Sequence, residues 1–293
     1  MIVVTTPTGQ IGSQLVRNLL GANEAVRVIA RDPAKLDAKV RERVDIVEGS
    51  HSDAAVVEKA FKNADAVFWL VPPNPQVESV EAAYVEFSQP ACDAFVKEGV
   101  EHVVGVSSLG RGKPQAKQAG YITASLAMDD FIASTDVNYR ALAMPGFMDN
   151  ILRQAATIKN QGAFYDVPSG DLKMATCATR DIAAAAASLL TERSWSGVGE
   201  VRVLGPENLS NDDLARIMTE VLETHIRYEQ LSVENLKSGL LEHGYSKAMA
   251  QGVADMMVAI KEGIYSNEPR TPETNTPTSF RTWCKEVLKP ALS

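Results

Sequence analysis

At 293 residues, 45% hydrophobic and 23% charged, the chain suits one large globular domain, or a domain with a smaller attached lobe. Its 37 acidic and 29 basic side chains leave a net charge of −8, which excludes any global attraction to the phosphates of a nucleic acid. Three scattered cysteines, Cys92, Cys177 and Cys284, exclude a disulfide framework and point to a reducing compartment. The start has no charged region ahead of its short apolar run, and no apolar stretch is bilayer-long, so a cytoplasmic protein without membrane contact is expected.

The first twelve residues read MIVVTTPTGQIG. Ile2, Val3 and Val4 are an apolar, β-branched run, the pattern of a strand buried on both faces of a parallel sheet. Pro7 and Gly9 force a turn, after which Ile11, Leu15, Val16, Leu19 and Leu20 mark one face of a helix. Strand, glycine-bearing turn and helix in this order gather free backbone N–H groups and a positive helix end at one place, which suits a phosphate. The spacing is Thr6-x-x-Gly9-x-x-Gly12, so threonine stands at the first position of a Gly-x-x-Gly-x-x-Gly loop. Gly12 lets the helix lie close to the strand.

Residues 25–31 (AVRVIAR) read as a second strand, closed by Asp32-Pro33. An acidic residue at its end would bind the ribose hydroxyls of NAD, whereas Arg31 suits a 2′-phosphate and favours NADP. Residues 44–48 form a third strand, and the following Gly-Ser-His-Ser-Asp loop caps a helix over 54–61. Residues 66–71 (AVFWLV) form a fourth strand, stopped by Pro72-Pro73-Asn74-Pro75. A helix over 80–98 leads to a fifth strand, 103–106, ending in Ser107-Ser108. The order β-α-β-α-β-α-β-α-β with right-handed crossovers predicts an α/β protein with a doubly wound parallel sheet of Rossmann type, its ligand at the carboxyl edge.

Residues 109–120 read as a polar, mobile loop, 121–133 as a helix, and 139–144 as a strand broken by Pro145-Gly146. Beyond it the alternation stops. A helix over 147–159, an extended piece at 163–165, an alanine-rich helix over 182–190 and a strand over 201–204 rejoining the sheet are expected. Ser210 caps a further helix with Asp213 at its third position, 226–231 is extended and 233–241 helical. Ser246 opens a helix whose Met249, Val253, Met256, Met257 and Ile260 form an apolar stripe, suited to core or to a pocket wall. Residues 265–279 read as a surface loop before a last helix over 280–288. The expected division is a dinucleotide-binding domain at 1–150 and a smaller C-terminal α/β substrate lobe at 151–293, with about 175–205 returning to the first.

In this order and spacing TPTGQIG, ARDPAKL, VEGSHSD, NADAVFWLVPP, VGVSSLG, NYRALAMPGFMDNI, TRDIAAAAASLLTE, VRVLGPENLS and TPTSFRTW make the chain resemble the NmrA-like group of atypical short-chain dehydrogenases. That group includes NADPH-dependent quinone and triphenylmethane dye reductases, and redox-sensing regulators. The resemblance implies that Thr8, Gly9, Gln10, Ile11 and Gly12, with Thr6 in the same loop, touch a cofactor pyrophosphate, and that Arg31 grips a 2′-phosphate. It puts Ser52 near the adenine, where relatives often carry aspartate. Val71, Pro72 and Pro73 would flank the nicotinamide ribose, Ser107 and Ser108 would lie beneath the ring, and Pro145, Gly146 and Phe147 would close over the carboxamide end.

Many dehydrogenases of this superfamily use Tyr-x-x-x-Lys, where lysine lowers the tyrosine pKa so that it donates a proton. The matching span here is Tyr121-Ile122-Thr123-Ala124-Ser125. Serine carries no charge, so Tyr121, the candidate catalytic residue, is expected to keep a pKa of about 10. His51, His102, His225 and His243 have no metal-like spacing, and no metal is expected. The expectation is an NAD(P)H-dependent oxidoreductase, with NADP(H) preferred over NAD(H), that passes hydride to a small quinone, dye or ketone. The alternative is a non-catalytic NADP(H) sensor that reports redox state to a protein partner.

Overall fold

In the computed structural model, which describes residues 1–292, the amino-terminal half alternates strand and helix: β1 (Ile2–Val4), α1 (Gln10–Gly21), β2 (Val26–Ala30), α2 (Ala38–Arg41), β3 (Asp45–Glu48), α3 (Ala54–Phe61), β4 (Ala66–Trp69), α4 (Phe87–Glu98), β5 (His102–Ser108), α5 (Tyr121–Ala133) and β6 (Asn138–Met144). The rest comprises β7 (Gly146–Phe147), α6 (Ala155–Gln161), β8 (Ala163–Asp166), β9 (Met174–Cys177), α7 (Thr179–Glu192), β10 (Val198–Arg202), β11 (Asn208–Leu209), α8 (Asn211–Leu222), β12 (Arg227–Gln230), α9 (Val233–Glu242), α10 (Lys247–Lys261), α11 (Phe280–Trp283) and α12 (Lys289–Leu292).

Seven strands form one parallel sheet in the order β10-β6-β5-β4-β1-β2-β3. Alternating side chains divide its two faces, as a period of two requires. Val4, Val28, Phe68, Val104 and Leu142 pack under α1 and α7, while Val3, Val67, Trp69, Val103 and Tyr139 pack under α3, α4 and α5. β1 is buried throughout because it lies between β2 and β4 with helices on both faces. The expected doubly wound sheet is the one the chain builds. The strand order reverses between β1 and β4, and the crevice beyond their carboxyl ends is where this architecture receives ligands.

Several elements differ from expectation, each for a physical reason. The helix expected at 147–159 begins instead as β7, which pairs in parallel with β9, so that Phe147 is extended; a 3₁₀ stretch, Met148–Gln154, precedes α6. The strand expected at 201–204 lies at Val198–Arg202, because Leu204 leaves the sheet to exchange backbone hydrogen bonds with Thr274 and Thr276, at 2.8 and 2.7 Å. α7 starts at Thr179, three residues early, since Asp149 accepts from the Thr179 N–H and hydroxyl at 2.9 and 2.8 Å. The helix expected over 80–98 opens with a π-turn, Ala82–Glu86, just ahead of Pro90, which has no N–H to continue the ladder.

Two segments expected to be loose are tied down. In the 109–120 loop, Arg111 pairs with Asp130 at 2.7 Å, and Lys113 pairs with the buried Glu268. The 265–279 segment is not confined to the surface: Tyr265, Glu268 and Thr278 are buried, and Arg202 joins Glu268 at 3.3 Å. Beside the large sheet, β11-β9-β7 and β12-β8 form two small sheets, and Phe164, Met218, Val221, Phe280 and Trp283 build a second core. No helix among the described residues is long and apolar enough to cross a membrane.

Candidate functional site

At the carboxyl end of β1 the Thr5 hydroxyl donates to the Phe68 carbonyl and accepts from the Leu70 N–H, both at 3.0 Å, fixing the mouth of the crevice between β1 and β4. Thr6 is left-handed at φ +50°, and its carbonyl accepts the Gly9 N–H at 3.0 Å. A Cβ on Gly12 would lie 2.1 Å from that same carbonyl oxygen, so only glycine lets α1 approach the turn this closely. No side chain caps the first turn of the twelve-residue α1. Thr8, Gly9 and Gln10 are exposed there, while Ile11 is buried in the core beneath. The Thr6 hydroxyl is buried with no hydrogen-bond partner among the described residues. A narrow cradle with an open helix N-terminus has the chemistry to hold a diphosphate.

Arg31 follows β2, exposed, with no hydrogen bond or ion pair among the described residues. Its acidic neighbour is occupied elsewhere: Asp32 accepts from the Ala34 N–H at 3.1 Å and pairs with Lys35 at 3.7 Å. Arg31 is therefore unpaired among the described residues, while Asp32 is held within its own turn. Behind it His51 is buried, donates through Nε2 to the Leu70 carbonyl at 3.1 Å and meets Trp69 and Phe87 edge-on. Burial above all, with the Arg31 charge adding to it against the bond to Leu70, lowers the His51 pKa to about 4. Ser52 is exposed, its hydroxyl 2.8 Å from that of Ser50.

Val71 is buried at the end of the fourth strand, Pro72 is exposed and Pro73 half-buried. Their loop is anchored from a distance, because Ser246 donates through its N–H to the Pro75 carbonyl at 2.8 Å and through its hydroxyl to that of Val77 at 2.6 Å. The same hydroxyl caps α10, accepting from the Met249 N–H at 3.1 Å.

Successive serines close β5 and point to opposite faces. Ser107 donates to Asp129, which also accepts from the Tyr139 hydroxyl at 2.6 Å and lies 3.5 Å from Arg111. Burial raises the Asp129 pKa to about 6, against those donors. Ser108 meets the hydroxyl of Tyr265 at 2.8 Å and the carbonyl of Leu109 at 3.1 Å. Past β6, Pro145 is buried, Gly146 exposed and Phe147 half-buried, with the Thr176 hydroxyl donating to the Gly146 carbonyl at 2.8 Å.

Tyr121 opens α5 on the same edge, its ring 5.9 Å from that of Tyr84 in the π-turn. Burial, with Tyr245 nearby, raises its pKa to about 12, above the value of about 10 expected from sequence. The Ser125 position supplies no charge to bring it down, so this phenol is a hydrogen-bond donor rather than a tuned acid. Tyr121 packs against Gly252 of α10, where a Cβ would lie 3.1 Å from the ring. Tyr84, Asp129 and Tyr265 did not stand out in the sequence, since none lies in a local motif.

A parallel doubly wound sheet, with a glycine-cradled turn at its switch point and a free arginine ending the second strand, defines a dinucleotide-binding protein. Residues 7–193 match the family described as NAD(P)H-binding, and the chain belongs to it. It is 28% identical to (4-alkanoyl-5-oxo-2,5-dihydrofuran-3-yl)methyl phosphate reductase of Streptomyces griseus, over 98% of this chain and 97% of that one. It is 26% identical to the NAD(P)H azoreductase of Xenophilus azovorans, over 87% and 86% of the two chains. Among solved structures, the triphenylmethane reductase of Citrobacter sp. complexed with NADP(H) superposes with a TM-score of 0.79 over 100% of both chains at 19% identity. The NmrA-like, atypical short-chain dehydrogenase group is where the chain falls.

Proposed function

We propose that the protein is an NADP(H)-dependent reductase that passes hydride to a flat, conjugated or carbonyl acceptor such as a quinone, an azo compound or a cationic dye. In this reading residues 1–150, with about 175–205, form the cofactor domain, and the remainder of 151–293 is the substrate lobe. Thr8 and Gly9 border the diphosphate and the backbone N–H groups of Gln10, Ile11 and Gly12 at the open helix end cradle it, with Thr6 shaping the turn. Arg31 binds the 2′-phosphate and Ser52 lies on the adenine side. Val71, Pro72 and Pro73 border the nicotinamide ribose, Ser107 and Ser108 lie under the ring, and Pro145, Gly146 and Phe147 border the carboxamide end.

The observation that carries the reading is the unpaired Arg31 beside a helix end that no side chain caps, with Asp32 already engaged by Ala34 and Lys35. Bound NADPH supplies the hydride; the protein supplies orientation and the exclusion of water. Tyr121, at a pKa of about 12 and without a lysine partner, donates a hydrogen bond rather than a proton. Acceptors that spread the incoming electrons over a conjugated system suit such a site, and the azoreductase and dye-reductase relatives support this class.

The test is NADPH consumption, followed optically, against quinones, azo compounds and triarylmethane dyes, beside calorimetric titration with NADPH and NADH. Turnover with tighter NADPH than NADH binding is the expected result. Tight NADPH binding with no turnover of any acceptor refutes the reductase and leaves a sensor; binding of neither dinucleotide refutes the whole reading.

A further inference from the structure

If the protein is a reductase, hydride transfer needs the nicotinamide and the wall that holds the acceptor at one fixed separation. The loop at 72–77 borders the nicotinamide side in that reading, yet few polar contacts hold it. Within the loop Gln76 donates its N–H to Asn74 Oδ1 at 3.0 Å. Among the described residues, the only hydrogen bonds joining 72–77 to the rest of the protein come from Ser246, 169 residues from Val77. That serine donates its N–H to the Pro75 carbonyl at 2.8 Å and its hydroxyl to the Val77 carbonyl at 2.6 Å.

Ser246 also begins α10. Its hydroxyl oxygen accepts from the Met249 N–H at 3.1 Å, so a single atom both holds the loop and caps the helix. Two turns further on, α10 lies directly against the start of α5. A Cβ on Gly120 would lie 1.9 Å from the Gly252 carbonyl oxygen, and one on Gly252 would lie 2.5 Å from Val80 and 3.1 Å from the Tyr121 ring. This contact seats α10 on the same sheet edge as the loop. α9, which leads into α10, buries no residue and so adds little to hold α10 down.

We propose that Ser246 is a positioning residue that couples the cofactor site to the acceptor site, by making the loop at 72–77 and the start of α10 move as one body. This rests on the reductase reading, with α10 as a wall of the substrate lobe. A dinucleotide bound against the loop orders it, and through Ser246 the ordering extends to α10. The acceptor then meets a wall whose freedom has already been removed, and binds more tightly without any change of shape. The effect is reciprocal, so a bound acceptor tightens the dinucleotide by the same factor. With the tether cut, loop and helix fluctuate separately and each ligand binds as though the other were absent.

The experiment titrates menadione into wild type, Ser246→Ala, Ser246→Asp and Ser246→Thr with and without saturating NADP⁺, both ligands being oxidised so that nothing turns over. In wild type NADP⁺ should tighten menadione about tenfold, and menadione should tighten NADP⁺ equally. Threonine keeps both donor and acceptor and should keep the effect. Alanine loses the hydroxyl but not the N–H bond to Pro75, and should retain about threefold, one neutral hydrogen bond of two being lost. Aspartate caps a helix as well as serine does but offers the Val77 carbonyl no donor, so it should abolish the coupling. A serine that merely caps α10 gives the opposite order, with aspartate like wild type and alanine impaired, and that order overturns the proposal. Hydrogen exchange in wild type, read by mass spectrometry, needs no variant: NADP⁺ should slow exchange over 247–255 together with 74–79. Unchanged exchange over 247–255 with NADP⁺ bound overturns the proposal. Wild type that binds NADP⁺ but oxidises no NADPH with menadione refutes the reductase reading instead, and the exchange data still decide whether Ser246 links loop to helix.

Discussion

Replacing Thr6 with glycine should make the protein more stable. Thr6 is a β-branched residue at φ +50°, a region that costs an L side chain about 1–2 kcal/mol. Its hydroxyl is buried with no partner among the described residues, adding a desolvation penalty of about 1–3 kcal/mol that glycine removes. Against this, glycine gains freedom in the unfolded chain worth about 0.5–1 kcal/mol. Taking the low end of each favourable contribution leaves a net gain of about 1 kcal/mol, which for a chain of this size raises Tm by about 2–3 °C. The Thr6 carbonyl, which receives Gly9 and confronts Gly12, belongs to the backbone and survives the change. Thr6→Ala separates the contributions, since it removes the hydroxyl and the branch but keeps the left-handed strain; it should fall between wild type and Thr6→Gly. Calorimetric scans of the three proteins without dinucleotide decide it. A Tm for Thr6→Gly at or below wild type would refute the reasoning, and would mean that the hydroxyl or the branch stabilises the turn.

Gly12→Ala places its Cβ 2.1 Å from a backbone oxygen that cannot move aside cheaply, so it should destabilise by about 1–3 kcal/mol and weaken NADPH binding, read by thermal shift and calorimetry. Arg31→Glu should weaken NADPH binding about 10- to 100-fold, the worth of a charge-assisted bond, with far less effect on NADH; equal losses for both dinucleotides would contradict its assignment to the 2′-phosphate. The folded pKa of Asp129, raised to about 6, means that its contribution to stability is greatest below the unfolded carboxylate value and is lost as pH rises through 6. The folded pKa of His51, lowered to about 4 from 6.5, acts the other way: its contribution is present above 6.5 and is lost as pH falls toward 4. The two oppose each other between about pH 4 and 6, so urea unfolding of His51→Gln should show stability falling more steeply with rising pH than wild type, and Asp129→Asn should show it rising.

What the sequence disclosed about this site was whatever the backbone decides locally. Strand, turn and helix at residues 1–21 were readable because apolar period and glycine placement are properties of consecutive residues, and the parallel sheet followed because its crossovers have one hand. The misplaced boundaries share a different cause. The start of α7 is set by Asp149, 30 residues away, and the end of β10 by residues 274–276 drawing Leu204 out of the sheet. The polar partners at the edge are more distant still: Ser108 with Tyr265, and Lys113 with Glu268, 155 residues apart. A buried polar atom must be satisfied by something, but the sequence does not say by what, since any donor the fold delivers will serve. A substitution such as serine for lysine at position 125 therefore reports that a local partnership is missing without reporting its replacement. At this edge the segment after α10, whose composition had read as surface loop, brings Tyr265 to Ser108 and Glu268 to Lys113. The cofactor half of such a site follows from adjacent residues, whereas its acceptor half depends on which remote segment packs over the strand ends.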